Sequence, residues 1–167
     1  MPPPYIKTVR DLIFYQYAKI MATSAGFSKE KNKVSYYRFI MDRVKKLKSG
    51  DIKISNILRE LKKQMTACEK CCEFCGAKEN LSFDHLIPLS RGGSDNIENQ
   101  VLACKSCNSS KGNKGLYAWY GEARKDELSR VVAGKYLKLL YDLHDKRVTL
   151  DKSGPRGKIS VLDLETF

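Results

Sequence analysis

The chain has 167 residues, 42% of them hydrophobic, enough for a packed interior in one domain or a small core with an appended subdomain. Its 31 Lys and Arg against 19 Asp and Glu leave a net charge of +12, with a pI near 9.4, which points to a polyanionic partner, nucleic acid before any other. Charges break every apolar run, which excludes a membrane span, and no lipidation motif or strongly apolar helix face suits the lysines to an anionic membrane surface.

From the N-terminus, Met1 to Lys7 lacks the apolar stretch and cleavage site of a secretory signal, so the expected location is cytoplasmic, with activity at the nucleoid. In that reducing compartment six cysteines are expected to hold metal, not disulfides. Residues 7–25 place Val9, Leu12, Ile13, Tyr17, Ile20 and Met21 at helical spacings, and Gly26 ends that helix. A second helix is expected over about 35–48, with Tyr37, Ile40, Met41, Val44 and Leu47 on one face. Ser49-Gly50-Asp51 makes the turn, and Ser55 caps a third helix carrying Ile57, Leu58 and Leu61.

The charge is concentrated here. Residues 1–66 hold 15 Lys and Arg against 5 Asp and Glu, whereas 67–116 balance at 6 against 6. A basic helical region that contacts DNA is therefore expected over 1–66, with Arg43, Lys45, Lys46 and Lys48 as candidate phosphate contacts. After the middle of the chain, Tyr117–Tyr120 and Leu128–Leu143 read as helical, with Val131, Tyr136, Leu139, Leu140 and Leu143 as a core stripe. His144 falls in that pattern and reads as structural. Residues 147–151 and 159–164 look like short strands around Ser153-Gly154-Pro155.

The middle differs in kind. Cys72-Glu73-Phe74-Cys75 and Cys104-Lys105-Ser106-Cys107 are two Cys-x-x-Cys pairs, able to supply four thiolates to one tetrahedral structural zinc. Cys68-Glu69-Lys70-Cys71 is a third such pair abutting the first. Cys72 and Cys75 are preferred because Phe74 and Gly76 resemble the aromatic and glycine of a zinc-knuckle turn. The 28 residues between Cys75 and Cys104 exceed a ribbon's loop, so they must hold something of their own. A strand ending at Asp84-His85, a Gly-rich loop over 86–98, a return strand over 100–103 and a helix over 106–114 are expected.

Asp84-His85, Ile87-Pro88-Leu89-Ser90-Arg91-Gly92-Gly93, Asn99, and Cys104-x-x-Cys107-Asn108 with Lys111-Gly112 together closely resemble the HNH endonuclease family. Asn108 stands where the family's last histidine often does. The resemblance implies a ββα-metal fold and cleavage of DNA, with His85 as the general base that deprotonates the attacking water. It also implies that Asn99 pins the loop bearing His85 by backbone hydrogen bonds. Asp84 offers a hard oxygen to a catalytic divalent cation, Mg²⁺ or Mn²⁺, and Asn108 offers its amide carbonyl as partner ligand. Arg91 and Lys111 are candidate phosphate contacts.

The whole is expected to be α+β: an HNH core at 67–116 with a structural zinc separate from the catalytic ion, between a basic helical region at 1–66 and a mixed region at 117–167 for packing or oligomerisation. The expected activity is metal-dependent endonuclease, of sequence-specific restriction type. The alternatives are a homing or mobile-element nuclease and a non-catalytic zinc-finger DNA-binding module. The expected partner is duplex DNA, with a homodimer left open and no membrane.

Overall fold

The computed structural model describes residues 3–54 and 70–166. Ser55, the third helix expected after it, and Cys68 lie outside the described residues. The chain is α+β. Its contacts group into two compact units drawn from non-contiguous stretches, where the sequence suggested three contiguous ones: Met1–Ser55 with Leu140–Leu164, and Asn56–Leu139 with Glu165–Phe167. No helix among the described residues is long and apolar enough to cross a membrane.

The first unit is built on α1 (Val9–Ser24) and α2 (Lys33–Ser49), which pack on each other. Thr8 starts α1 with a capping box: the Asp11 amide donates to Thr8 Oγ1 (3.1 Å), and the Thr8 amide returns a bond to Asp11 Oδ2 (3.4 Å). Asn32 caps α2 by accepting from the Ser35 amide (2.9 Å), and Gly50 closes it at φ +82°. That cap starts the helix two residues before the expected position. Leu12, Ile13, Ile40, Val44 and Leu47 are buried, with Leu140, Leu150, Ile159, Val161 and Leu164 from the returning segment. His144 is buried too: its Nε2 lies 2.9 Å from the Leu164 carbonyl and its Nδ1 2.7 Å from Thr149 Oγ1. Burial lowers its pKa below the usual imidazole range.

The two short strands expected in this returning segment do not form. Val148 takes a left-handed φ of +55°, breaking any extended run through 147–151. The Asp163 carboxylate accepts from the Ser160 amide (2.6 Å), starting a 3-10 turn at Asp163–Glu165 where a strand was expected. Alternation of apolar residues here serves burial without a ladder partner, apart from a single bridge from Thr8 to Ser153.

The second unit contains an antiparallel pair, β1 (Leu81–His85) and β2 (Gln100–Cys104), with α3 (Lys105–Lys111) packed on both strands. This is the ββα arrangement expected. α4 (Leu116–Tyr120) follows, and α5 (Arg130–Lys146) contributes its residues up to Leu139. The buried face of α5 here is Val132, Ala133, Tyr136 and Leu137. The expected stripe shared only Tyr136 with it in this half.

The unit is closed from the far end of the chain. Glu165, 3% exposed, accepts from the Tyr117 amide (2.6 Å), the Ala118 amide (2.9 Å) and the Tyr136 hydroxyl (2.5 Å). It caps α4, whose own N-cap, Gly115, has no side chain to do so. Gly115 is required, because a Cβ there would lie 2.3 Å from the Glu165 carboxylate. Glu165→Ala should lower stability by on the order of 3 kcal/mol, since buried donors lose a charged acceptor. Glu165→Gln, which keeps one acceptor, should lose less. Denaturant midpoints for both variants check this; an unshifted Ala midpoint would show that water serves those donors equally well.

Candidate functional site

The sulfurs of Cys72, Cys75, Cys104 and Cys107 all lie within 4.8 Å of one another. Cys75 Sγ and Cys104 Sγ are 3.6 Å apart. A tetrahedron of thiolates about 2.3 Å from a zinc has edges of about 3.8 Å, so the group could bind that ion. Local backbone geometry sets it up. The Cys72 amide donates to the Ala77 carbonyl and the Gly76 amide to the Cys72 carbonyl, both 2.8 Å, with Gly76 at φ +77°. The Glu73 amide donates to the Leu102 carbonyl (2.9 Å), tying this turn to β2, which ends at Cys104. Cys71 is half-buried and stands outside the group.

The electrostatics fit a cation. Burial works against ionising Cys72, yet backbone donors from Cys104, Phe74 and Cys75 bring its thiol down to about 7. Burial and the neighbouring thiols push Cys107 up. Crowded thiols resist ionising together until a positive charge compensates them. Phe74, between the first two cysteines, meets Trp119 edge-on at 4.9 Å, and Trp119 Nε1 donates to Ser110 Oγ on α3 (2.9 Å).

Successive strand residues face opposite sides, and directly paired residues share one. Ser82 and Asp84 therefore share a face with Ala103 and Val101, while Phe83 and His85 share the other with Leu102 and Gln100. α3 lies on the first face. Lys111 and Asn108, one turn apart on it, meet Asp84 and Ser82 respectively. Phe83 is 59% exposed, and Asp84 beside it is 6% exposed.

Lys111 Nζ lies 3.3 Å from Asp84 Oδ1 and 3.2 Å from Oδ2, and donates to the His85 carbonyl at 2.6 Å. The Oδ2 contact is an ion pair without hydrogen-bond geometry, so this buried oxygen has no donor among the described residues. Burial raises the Asp84 pKa against the pull of Lys111, and burial lowers the Lys111 pKa against the pull of Asp84. Lys111, a candidate phosphate contact, is 1% exposed; it sits beneath the strand, because α3 turns this face inward. Asn108 Nδ2 donates to Ser82 Oγ (3.2 Å), and its Oδ1 makes no hydrogen bond among the described residues.

On the other face, His85 Nε2 lies 2.8 Å from Asp95 Oδ1. Asn99 is fully buried. Its Oδ1 accepts from the Ile87 amide (2.9 Å), and its Nδ2 donates to the carbonyls of Ile87 (2.7 Å) and Ser94 (2.8 Å). It thus ties the chain just after His85 to the chain just before Asp95. Gly93 lets the loop close, since a Cβ there would lie 1.9 Å from the Ile87 carbonyl oxygen.

The expected basic contacts fare unevenly. Lys48 Nζ is paired with Asp11 at 2.6 Å, and Lys46 Nζ with Asp42 at 3.1 Å. Arg43 Nε lies 3.7 Å from the same Asp42, its guanidinium over the Phe39 ring. Lys45 is exposed with no pair among the described residues. Arg91 is half-buried, and its guanidinium donates to the Glu165 carbonyl.

Two polar groups at the site were not expected from sequence. Asp95 is one. The other is Lys135 on α5, fully buried, which donates to the carbonyls of Gln100 (2.5 Å) and Ile97 (3.4 Å) around Asn99. Burial brings its pKa down to about 8. A lysine in the buried register of an apolar helix face was the available signal for Lys135. For Asp95 there was none beyond its place in a Gly-rich loop.

Residues 68–114 match the family described as HNH endonuclease. A 52-residue stretch is 40% identical to the CRISPR-associated endonuclease Cas9 of Corynebacterium diphtheriae, covering 29% of this chain and 5% of that protein's length. No solved structure matches. The chain therefore carries an HNH endonuclease domain at residues 68–114, and the likeness supports a nuclease.

Proposed function

We propose that the protein is a metal-dependent endonuclease that hydrolyses phosphodiester bonds of duplex DNA, acting in the cytoplasm as a sequence-specific restriction enzyme. The observation that carries the reading is the buried Asp84 oxygen without a hydrogen-bond donor, in the seam between β1 and the helix bearing Asn108. A buried carboxylate oxygen that accepts no hydrogen bond, met only by the Lys111 ion pair, suits a hard cation, and the Asn108 amide oxygen is a second hard donor on the same seam. When bound there, Mg²⁺ or Mn²⁺ supplies a Lewis acid for the phosphate and the leaving oxygen.

The chain's own groups do the rest. β1 ends at His85, so Asp84 and His85 lie side by side at the strand end on opposite faces, with His85 the more exposed of the two. The His85 imidazole takes the proton of the attacking water, a step worth roughly 10²–10⁴-fold. Asn99 fixes the loop that carries it. Lys111 holds the Asp84 carboxylate and the His85 carbonyl from beneath, which keeps the two residues in register. The products carry a 5′-phosphate and a 3′-hydroxyl. The four cysteines hold a structural zinc, closed to substrate because no coordination position is left open. Lys45, the expected contact that remains unpaired, anchors the basic helical region on DNA phosphates.

Incubating plasmid with Mg²⁺ or Mn²⁺, beside an EDTA control, and sequencing the product ends tests this. Discrete recurrent ends support restriction, and a single rare site supports the homing alternative. Retained DNA binding with no metal-dependent cut supports the non-catalytic finger and overturns the enzyme.

A further inference from the structure

The geometry points to Asp95 as a positioning residue for His85: it fixes the imidazole tautomer so that Nδ1, not Nε2, is the atom that accepts the proton from water. The inference rests on the reading of His85 as the general base and adds which atom acts and what sets it.

Three observations carry it. First, His85 Nε2 lies 2.8 Å from Asp95 Oδ1, and a carboxylate only accepts, so the proton between them belongs to Nε2. Gln100 Nε2 also comes within 3.3 Å of His85 Nε2, but the ionised acceptor is nearer and stronger. The Gln100 amide is instead satisfied by donating to the Asp95 carbonyl (3.3 Å) and Oδ1 (3.5 Å), which steadies Asp95 itself. Second, Nδ1 makes no hydrogen bond among the described residues, and the His85 side chain is 26% exposed. Third, the loop is built to deliver Asp95. Asn99 Nδ2 holds the Ser94 carbonyl, Gly93 permits the close approach to Ile87, and Lys135 fixes the carbonyls on either side of Asn99.

A water gives its proton to Nδ1 as its oxygen attacks phosphorus; the bond to the 3′-oxygen breaks, and that oxygen keeps the bonding pair and takes a proton from solvent. The imidazolium so formed is stabilised through Nε2–H by the Asp95 carboxylate and then returns its proton to solvent.

The test uses the full-length protein with ¹⁵N-labelled histidine. There are two histidines, so comparison with His85→Ala assigns the His85 signals. At a pH well above the usual imidazole range, the wild-type His85 spectrum should show a protonated Nε2 and a bare Nδ1. Asp95→Ala should give a mixture of tautomers and lower kcat by roughly 10–100-fold with KM little changed. Asp95→Glu should recover part of both. Asp95 is 79% exposed, so these variants should fold. A wild-type Nδ1–H tautomer, or an Asp95→Ala variant with unaltered tautomer and kcat, overturns the inference. The spectrum answers whether or not the protein cuts DNA, so loss of the tautomer preference and absence of nuclease activity are separate results.

Discussion

His85→Ala should reduce cleavage by roughly 10²–10⁴-fold, to near the background of the plasmid assay, while melting temperature and DNA affinity stay close to wild type. The imidazole is one-quarter exposed and its side-chain contacts are Asp95 and Gln100, neither of which carries the fold. Its carbonyl, the group that Lys111 holds, survives the substitution. A purified variant that still cuts near the wild-type rate would remove His85 from the chemistry and, with it, the assignment of the strand end as the reacting centre.

The second large effect separates the two proposed metal sites. Cys104→Ser should lose zinc and stability together, because binding free energy at a structural zinc is folding free energy, of order 10 kcal/mol. The protein's one tryptophan reports it: Trp119 touches the first knuckle through Phe74 and the helix after the second through Ser110, so its emission should shift when zinc leaves. The catalytic site needs a gentler change. Asp84→Ala would leave the buried Lys111 ammonium without its carboxylate, which by itself costs on the order of 3–5 kcal/mol. Asp84→Asn, which keeps an oxygen acceptor for Lys111 though not the charge, combined with Asn108→Ala should keep the zinc and lose less stability than Asp84→Ala, yet lose cleavage. Brief EDTA followed by Mg²⁺ should restore wild-type activity without added zinc. Zinc content measured on each variant decides: if the Asp84/Asn108 variant has lost zinc, one shared site exists and the two-site mechanism is wrong.

What could be read from the residues divides along a physical line. The cysteine pairs, the strand ending at Asp84-His85 and the helix that carries Cys107 are local patterns: each is set by spacing within a few residues, and the structure has them. The preference for Cys72 and Cys75 over the abutting pair rested on Phe74 and Gly76, and those residues make the turn and the aromatic contact. The partners of the site are not local. Asp95 reaches His85 because a third residue, Asn99, folds the loop back; Glu165 reaches α4 from 47 residues away. No spacing pattern within a few residues marks such pairs. The basic residues differ: charge is visible in sequence but pairing is not, and Asp42 and Asp11 lie beside three of the four candidate contacts of residues 1–66. The two absent strands show the converse, apolar alternation read as a ladder where a left-handed Val148 and an Asp-capped turn had already bent the chain.

Lys135 sets a limit on how this motif travels between proteins. The ammonium that serves the Gln100 and Ile97 carbonyls comes from a helix beyond residue 114, so the recognisable segment is not a finished part. Grafted alone into another scaffold, residues 68–114 would bring their thiols, their carboxylate and their imidazole, but the backbone around Asn99 would arrive with two inward carbonyls lacking their donor. A host that accepts the motif must supply a cation or donor at that point from its own chain, and recombination that respects only the motif's borders would yield a metal-binding insert with a slack loop.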